Sequence, residues 1–199
     1  MKNKFTLAFI FSILLATGLY AGDSSTKNSG TNKPAVLTPL GPDGTLQWLS
    51  WDEAAKLNEK NPHKFFIDFY TSWCGWCKVM DAKTFQDPYI AQYMSKNFYC
   101  VKFDAERQDS IRFKDYTFKW VPGGRNGYHQ LAAYFMQNEM SYPTMTVLTD
   151  KYELITPIKG YIDVTQFEPM ITFFAEDHWI KQENLEAFKA GYVRPPAKP

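Results

Sequence analysis

The sequence is poor in the residues that bind metals. Only three cysteines and three histidines occur among its 199 residues. His63, His129 and His178 show no ligand spacing around the single Cys-x-x-Cys, which alone supplies two of the four ligands zinc requires. An excess of charge of one sign is missing too: 22 Lys and Arg face 21 Asp and Glu, for a formal charge of +1. A nucleic-acid role therefore has no electrostatic footprint. Past the first 22 residues there is no second long apolar run, which excludes a multi-span membrane protein. No internal repeat is present. Apolar material is not lacking: 45% hydrophobic and 17% aromatic residues exclude a disordered chain.

The N-terminus is read apart from the fold. Met1 to Lys4 carries two lysines, Phe5 to Ala16 is almost wholly apolar, and small residues follow at Ala16, Gly18, Ala21 and Gly22. This is the pattern of a secretory signal peptide over residues 1–21. The uncharged run Phe5 to Gly22 falls just short of the ~20 residues that comfortably span a bilayer, so a retained anchor is the alternative to cleavage near Ala21 or Gly18. No cysteine lies in the segment, which excludes a lipid-anchored cysteine at a cleavage site. Its removal takes two lysines away and leaves a formal charge of −1. The expectation is an exported protein, periplasmic or otherwise extracytoplasmic, that meets the membrane only through this segment. Residues 22–44, rich in Ser, Thr, Asn, Gly and Pro, read as a flexible tether. Residues 45–199 are expected to form one domain.

Local patterns give the elements. Leu46 to Leu49 reads as a short strand. Ser50 and Glu53 stand at capping-box spacing before a helix to Asn58, which Asn61-Pro62 stops. Phe65 to Tyr70, apolar except for Asp68, suits a strand buried on both faces. A helix is expected over Cys74 to Phe85, and a second one with Asp87 as cap and Pro88 as first residue. Phe98 to Phe103 reads as a strand, Arg112 to Trp120 as a hairpin, and Tyr128 to Asn138 as an amphipathic helix. Thr144 to Leu148 and Leu154 to Lys159 are strands. Val164 to Ala175 is a helix in which Pro169 predicts a kink or restart, and a last helix is expected over Glu183 to Lys189. Strands alternating with helices, closed by a hairpin and helix, predict an α/β domain with a central mixed sheet flanked by helices.

The chemistry concentrates at Cys74-Gly75-Trp76-Cys77. The pair follows a buried-strand pattern and opens a helix, the setting in which Cys-x-x-Cys reads as a redox motif. Unpaired N–H groups and the positive end of the helix dipole favour a thiolate there. Cys74 would attack, and Cys77, nearly one turn later, would resolve the mixed disulfide. A structural disulfide is the plain alternative in an exported protein, but its short loop would stabilise little. Covalent haem attachment requires His after the second Cys, where Lys78 stands.

The segment Phe69-Tyr70-Thr71-Ser72-Trp73-Cys74-Gly75-Trp76-Cys77-Lys78 resembles the active-site segment of the thioredoxin superfamily. Asp68 matches the family's buried acid, Lys102 the lysine that accompanies it, Ser141-Tyr142-Pro143-Thr144 the cis-proline segment, and Gly160 the glycine after the last strand. Cys77-Lys78-Val79-Met80-Asp81 with Thr84-Phe85 resembles exported bacterial thioredoxin-like proteins of Bacteroidetes type. The resemblance implies a thioredoxin fold and a thiol–disulfide oxidoreductase acting on polypeptide thiols and disulfides, with no organic cofactor and no metal. It implies Cys74, Cys77, Asp68 and Lys102 as the catalytic set, and Trp73, Gly75, Trp76, Tyr142, Pro143 and Gly160 around the substrate.

Several roles stay two-sided. Asp68, if buried, would titrate near neutrality and move the proton of Cys77; otherwise it is a strand-end acid facing solvent. Lys102 either pairs with Asp68 or snorkels from a strand end. Pro143 on its own would be an ordinary trans proline, and only the family match implies cis. Each aromatic could be core. Thioredoxins commonly carry Gly-Pro between the cysteines where this chain has Gly-Trp, so direction is not legible. A reductase fed by a membrane electron donor is preferred over an oxidant or isomerase, and over a polypeptide-binding, chaperone-like module. Residues 105–127 read as an insertion and 176–199 as a C-terminal helical extension. Gly123 to Gly127 is a hairpin exit loop or an anion nest. Cys100 reads as an inert buried thiol.

Overall fold

A computed structural model of the chain describes residues 36–196. The segment read as a signal peptide and residues 22–35 of the tether lie outside them. Among the described residues no helix is long and apolar enough to cross a membrane.

Helix α1 (Trp51–Lys60) opens on the capping box: the Ser50 hydroxyl accepts the Glu53 N–H at 3.2 Å and the Glu53 carboxylate accepts the Ser50 N–H at 2.8 Å. Strand β1 (Phe65–Tyr70) leads to α2 (Gly75–Met80), which widens into a π-helical turn, Asp81–Phe85. Helix α3 (Pro88–Asn97) is capped by Asp87, whose Oδ1 accepts from the N–H groups of Tyr89 and Ile90, each at 3.0 Å. Then come β2 (Tyr99–Asp104), the short strands β3 (Ile111–Phe113), β4 (Tyr116–Phe118), β5 (Trp120–Val121) and β6 (Tyr128–His129), and helix α4 (Gln130–Phe135). Strands β7 (Thr144–Leu148) and β8 (Leu154–Lys159) and helices α5 (Val164–Ala175) and α6 (Leu185–Gly191) complete the described fold.

The main sheet has the order β2-β1-β7-β8, with β1 and β2 parallel and the other pairs antiparallel. Both faces are covered, which is why β1 reads as apolar at every position but Asp68. Phe65, Ile67 and Phe69 join Trp51, Phe103 and Phe135 in one layer; Phe66 joins Met80, Phe85, Ile90, Phe167 and Ile171 in the other. The C-terminal part packs on α5, with the Phe188 ring 5.5 Å from that of Phe173. It is pinned by Glu168, a buried carboxylate that accepts the Tyr192 hydroxyl at 2.9 Å and Arg194 Nε at 2.8 Å.

Four local expectations are corrected. Leu46 to Leu49 forms no strand, only the single bridges Leu40 to Leu46 and Leu49 to Val101. Residues 36–44, expected within the tether, include a docked stretch: Leu37 and Thr38 donate their N–H groups to the Ser95 carbonyl, and the Thr38 hydroxyl donates to the Phe98 carbonyl at 2.7 Å and accepts the Cys100 N–H at 2.8 Å. One buried leucine and one bridging hydroxyl hold a segment whose composition reads as loose. The helix expected from Tyr128 starts at Gln130, because Tyr128 and His129 pair with Val121 and Trp120, and His129 Nδ1 then caps the helix by accepting the Leu131 N–H. Of the two outcomes expected at Pro169, a kink or a restart, the restart is excluded: α5 stays one helix, its buried face carrying Phe167, Met170, Ile171 and Phe174.

Candidate active site

The Cys-x-x-Cys pair sits a short turn after the end of β1. A turn closed by the Cys74 N–H on the Thr71 carbonyl at 3.1 Å delivers Cys74 to the cap position of α2. Cys74 and Cys77 are joined in a disulfide, their Cα atoms 5.3 Å apart, and the Cys77 N–H donates to Cys74 Sγ at 3.1 Å. Both sulfur-bearing residues are buried. After reduction the same N–H would face the Cys74 sulfur, and a hydrogen bond to the charged form lowers a pKa.

Aromatic surface surrounds the pair. Trp73 and Trp76 are 54% and 62% exposed, so neither is a core residue, whereas Gly75 between them has open space about it. The Trp73 ring lies 5.8 Å from that of Tyr142, and the Trp76 ring 5.3 Å from that of Tyr161. The Tyr142–Pro143 peptide is cis. Gly160, at φ +87°, donates its N–H to the Pro143 carbonyl at 2.8 Å, so the end of β8 braces the proline turn in a backbone conformation that suits glycine.

A charged cluster joins β1, β2 and the turn after α2. Asp68 is 1% exposed and not a solvent-facing acid. Burial pushes its carboxyl up to about 6, although the Lys102 ammonium, 2.5 Å from Oδ2, works in the opposite direction. Its other oxygen has no hydrogen-bond partner. Lys102 is paired rather than merely snorkelling: it bonds Asp81 as well as Asp68, over the rings of Tyr70 and Trp48 at 5.0 and 5.1 Å. Burial works to lower its pKa, but the two carboxylates outweigh that and hold it above the ordinary value. Asp81 also donates its N–H to the Cys77 carbonyl, which ties the cluster to the helix that carries the disulfide.

Sequence reasoning missed three residues here. Glu106 accepts the Trp73 indole N–H at 2.8 Å and both its oxygens accept from the Asn126 amide at 3.1 Å. Tyr161 backs Trp76, and Asp81 shares Lys102; only Asp81, one turn after Cys77, carried a local signal. Gly123 to Gly127 forms the turn between β5 and β6, with the Gly127 N–H on the Gly123 carbonyl at 2.7 Å. At Gly127, φ +74°, a Cβ would stand 2.3 Å from the Trp120 ring, so glycine is required. Cys100 is wholly buried, and burial pushes its thiol up to about 12.

Comparison with known proteins gives a consistent fold. The family model Thioredox_DsbH, described as a protein of unknown function (DUF255), matches residues 41–166. A thioredoxin-fold protein from Helicobacter pylori superposes with a TM-score of 0.50 at 13% identity, covering 65% of this chain and 84% of that one. A structure described as DsbH oxidoreductase gives 0.47 at 16% identity, covering 71% and 92%. Spermatogenesis-associated protein 20 of Mus musculus is 27% identical over 84 residues, 42% of this chain and 11% of that protein. The chain thus matches about a tenth of the length of that curated relative. The mixed sheet with helices on both faces is a thioredoxin fold.

Proposed function

The chain belongs to the Thioredox_DsbH family, and from that premise we propose that it is a thiol–disulfide oxidoreductase that reduces polypeptide disulfides outside the cytoplasm. The carrying observation is the Cys74–Cys77 disulfide at the start of α2, with the Cys77 N–H on the Cys74 sulfur and an exposed aromatic rim around it.

In the reduced protein the Cys74 thiolate attacks one sulfur of a substrate disulfide. A bond from Cys74 to that sulfur forms, the substrate S–S bond breaks, and the leaving thiolate takes up a proton. Cys77 then loses its proton, attacks Cys74 Sγ and expels the second substrate thiol. The substrate gains two electrons and two protons, and the pair becomes the disulfide seen here. Asp68, with a carboxyl near 6, is the base for the Cys77 proton, and Lys102 steadies its charged form. Trp73, Trp76, Tyr142 and the cis Pro143 turn, braced by Gly160, form the docking surface; Gly75 leaves room beside the sulfur. The disulfide is itself the electron carrier, so the mechanism invokes no organic cofactor or metal, and a membrane-borne thiol donor would regenerate the reduced pair. The extracytoplasmic assignment rests on the signal-like residues 1–21.

Reduction of a protein disulfide such as insulin by the dithiothreitol-supported protein tests this. Activity should vanish in Cys74→Ser, while Cys77→Ser should accumulate mixed disulfides. Reduction that survives loss of Cys74 removes the proposal. Equilibration with glutathione or dithiothreitol fixes direction: a potential near −270 mV fits a reductase, and one near −120 mV an oxidant, both on the order of known members of those classes.

A further inference from the structure

We propose that the cleft beside the disulfide is a specificity subsite for a basic side chain, lysine or arginine, standing one or two residues from the reacting cysteine of the polypeptide. The proposal rests on the disulfide-exchange reading for what brings that polypeptide there.

The cleft, about 350 Å³, lies between Trp73 and Tyr142 on one side and the β5–β6 turn on the other. Trp73 is bonded to Cys74, and Tyr142 to Pro143. An extended peptide advances ~3.3 Å per residue, so a thiol engaged at Cys74 brings its near neighbours to the mouth. Trp73, Tyr128 and Tyr142, with Met140, supply aromatic and apolar walls. Such walls suit the long aliphatic stem of a basic residue, and ring faces attract its cation.

Charge decides between a basic and an acidic occupant. The Glu106 carboxylate accepts only neutral donors, the Trp73 indole and the Asn126 amide, and among the described residues no cation pairs with it. A second carboxylate is adjacent: Asp104 accepts the Glu106 N–H at 2.9 Å. Glu106 itself lines the cleft, and after burial the charges of Glu106 and Asp104 help push the Tyr142 hydroxyl up to about 12. The cation lining the cleft, Arg125, stands exposed on the outer turn, where solvent screens it. An acidic side chain entering past Arg125 would meet the Glu106 carboxylate, with Asp104 behind it; a basic one is held back at the rim and attracted within.

Binding of short peptides to the full-length chain in its disulfide state tests the subsite. The peptides carry serine in place of the target cysteine, flanked by lysine, leucine or glutamate, and calorimetry reads their affinity. The lysine peptide should bind about tenfold more tightly than the glutamate peptide at low salt, with most of that ratio lost at high salt. In Glu106→Gln the oxygen that accepts from both Trp73 and Asn126 is retained and the charge is removed, so the ratio should fall severalfold; in Arg125→Gln it should rise. No measurable binding of the lysine peptide, equal or reversed affinities, or a ratio unmoved by Glu106→Gln overturns the subsite. Reduction of the matching cysteine peptides as mixed disulfides separates the two readings. Turnover without charge preference sinks the subsite and leaves the oxidoreductase; charge-selective binding without turnover does the reverse.

Discussion

Replacing Asp68 by asparagine should stabilise the disulfide form of the protein, by an amount that grows with pH. The carboxyl is raised in the fold from 3.8 to about 6. A raised carboxyl contributes stability while it is protonated; that contribution is complete below pH 3.8 and is lost as pH climbs through about 6. At ~1.4 kcal/mol per unit, the raised value corresponds to about 3 kcal/mol. Asparagine has the shape of the protonated acid and never ionises, so it escapes this loss. Urea unfolding of both oxidised proteins from pH 3.5 to 8 should show their stability difference growing by about 3 kcal/mol, most of it between pH 4 and 6, then level. A difference that stays flat or narrows with pH would refute the reasoning, because Asp68 would then ionise in the fold as readily as in water. The same substitution removes the base proposed for Cys77, so the mixed disulfide should resolve on the order of 100-fold more slowly near neutral pH: stability gained, turnover lost.

Asp81→Asn should leave Lys102 undivided between two carboxylates and so lower the Asp68 titration from about 6, as NMR of the carboxyl carbons would show; an unchanged or higher value contradicts the shared-cation geometry. Cys100, its thiol pushed up to about 12 by burial, should resist iodoacetamide in the native protein and react fully in denaturant; ready native labelling at neutral pH would contradict the burial. Gly160→Ala should destabilise the fold by ~1 kcal/mol in urea melts, since φ +87° strains any residue with a Cβ; a neutral effect would mean the turn relaxes.

Much of the frame was legible because it is written in local chemistry. The Ser50/Glu53 box, the Asp87-Pro88 cap and the apolar run of β1, broken only by Asp68, each declare themselves within a few residues. The redox pair was legible for the same reason. What escaped depends on partners far along the chain. The two-residue strands β5 and β6 pair around a turn whose Gly127 backbone fits against Trp120. Thr38 docks through bonds to residues 60 and 62 positions away. Glu106 meets Trp73 across 33 residues, and nothing near Glu106 in sequence marks it as a neighbour of the disulfide. Asp68 and Lys102 could be named from the family pattern, but burial of the one and sharing of the other emerge only from the packed sheet.

The Thr38 latch also fixes the pole at which the chain enters the domain. It grips the chain at Phe98 and Cys100, where β2 begins, and β2 runs parallel to β1, so the latch lies at the opposite end of these strands from the disulfide. Six-residue strands put roughly 20 Å between those ends. A surface coupling made through the chain upstream of residue 36 would therefore pull on the domain at the pole remote from Cys74 and Cys77.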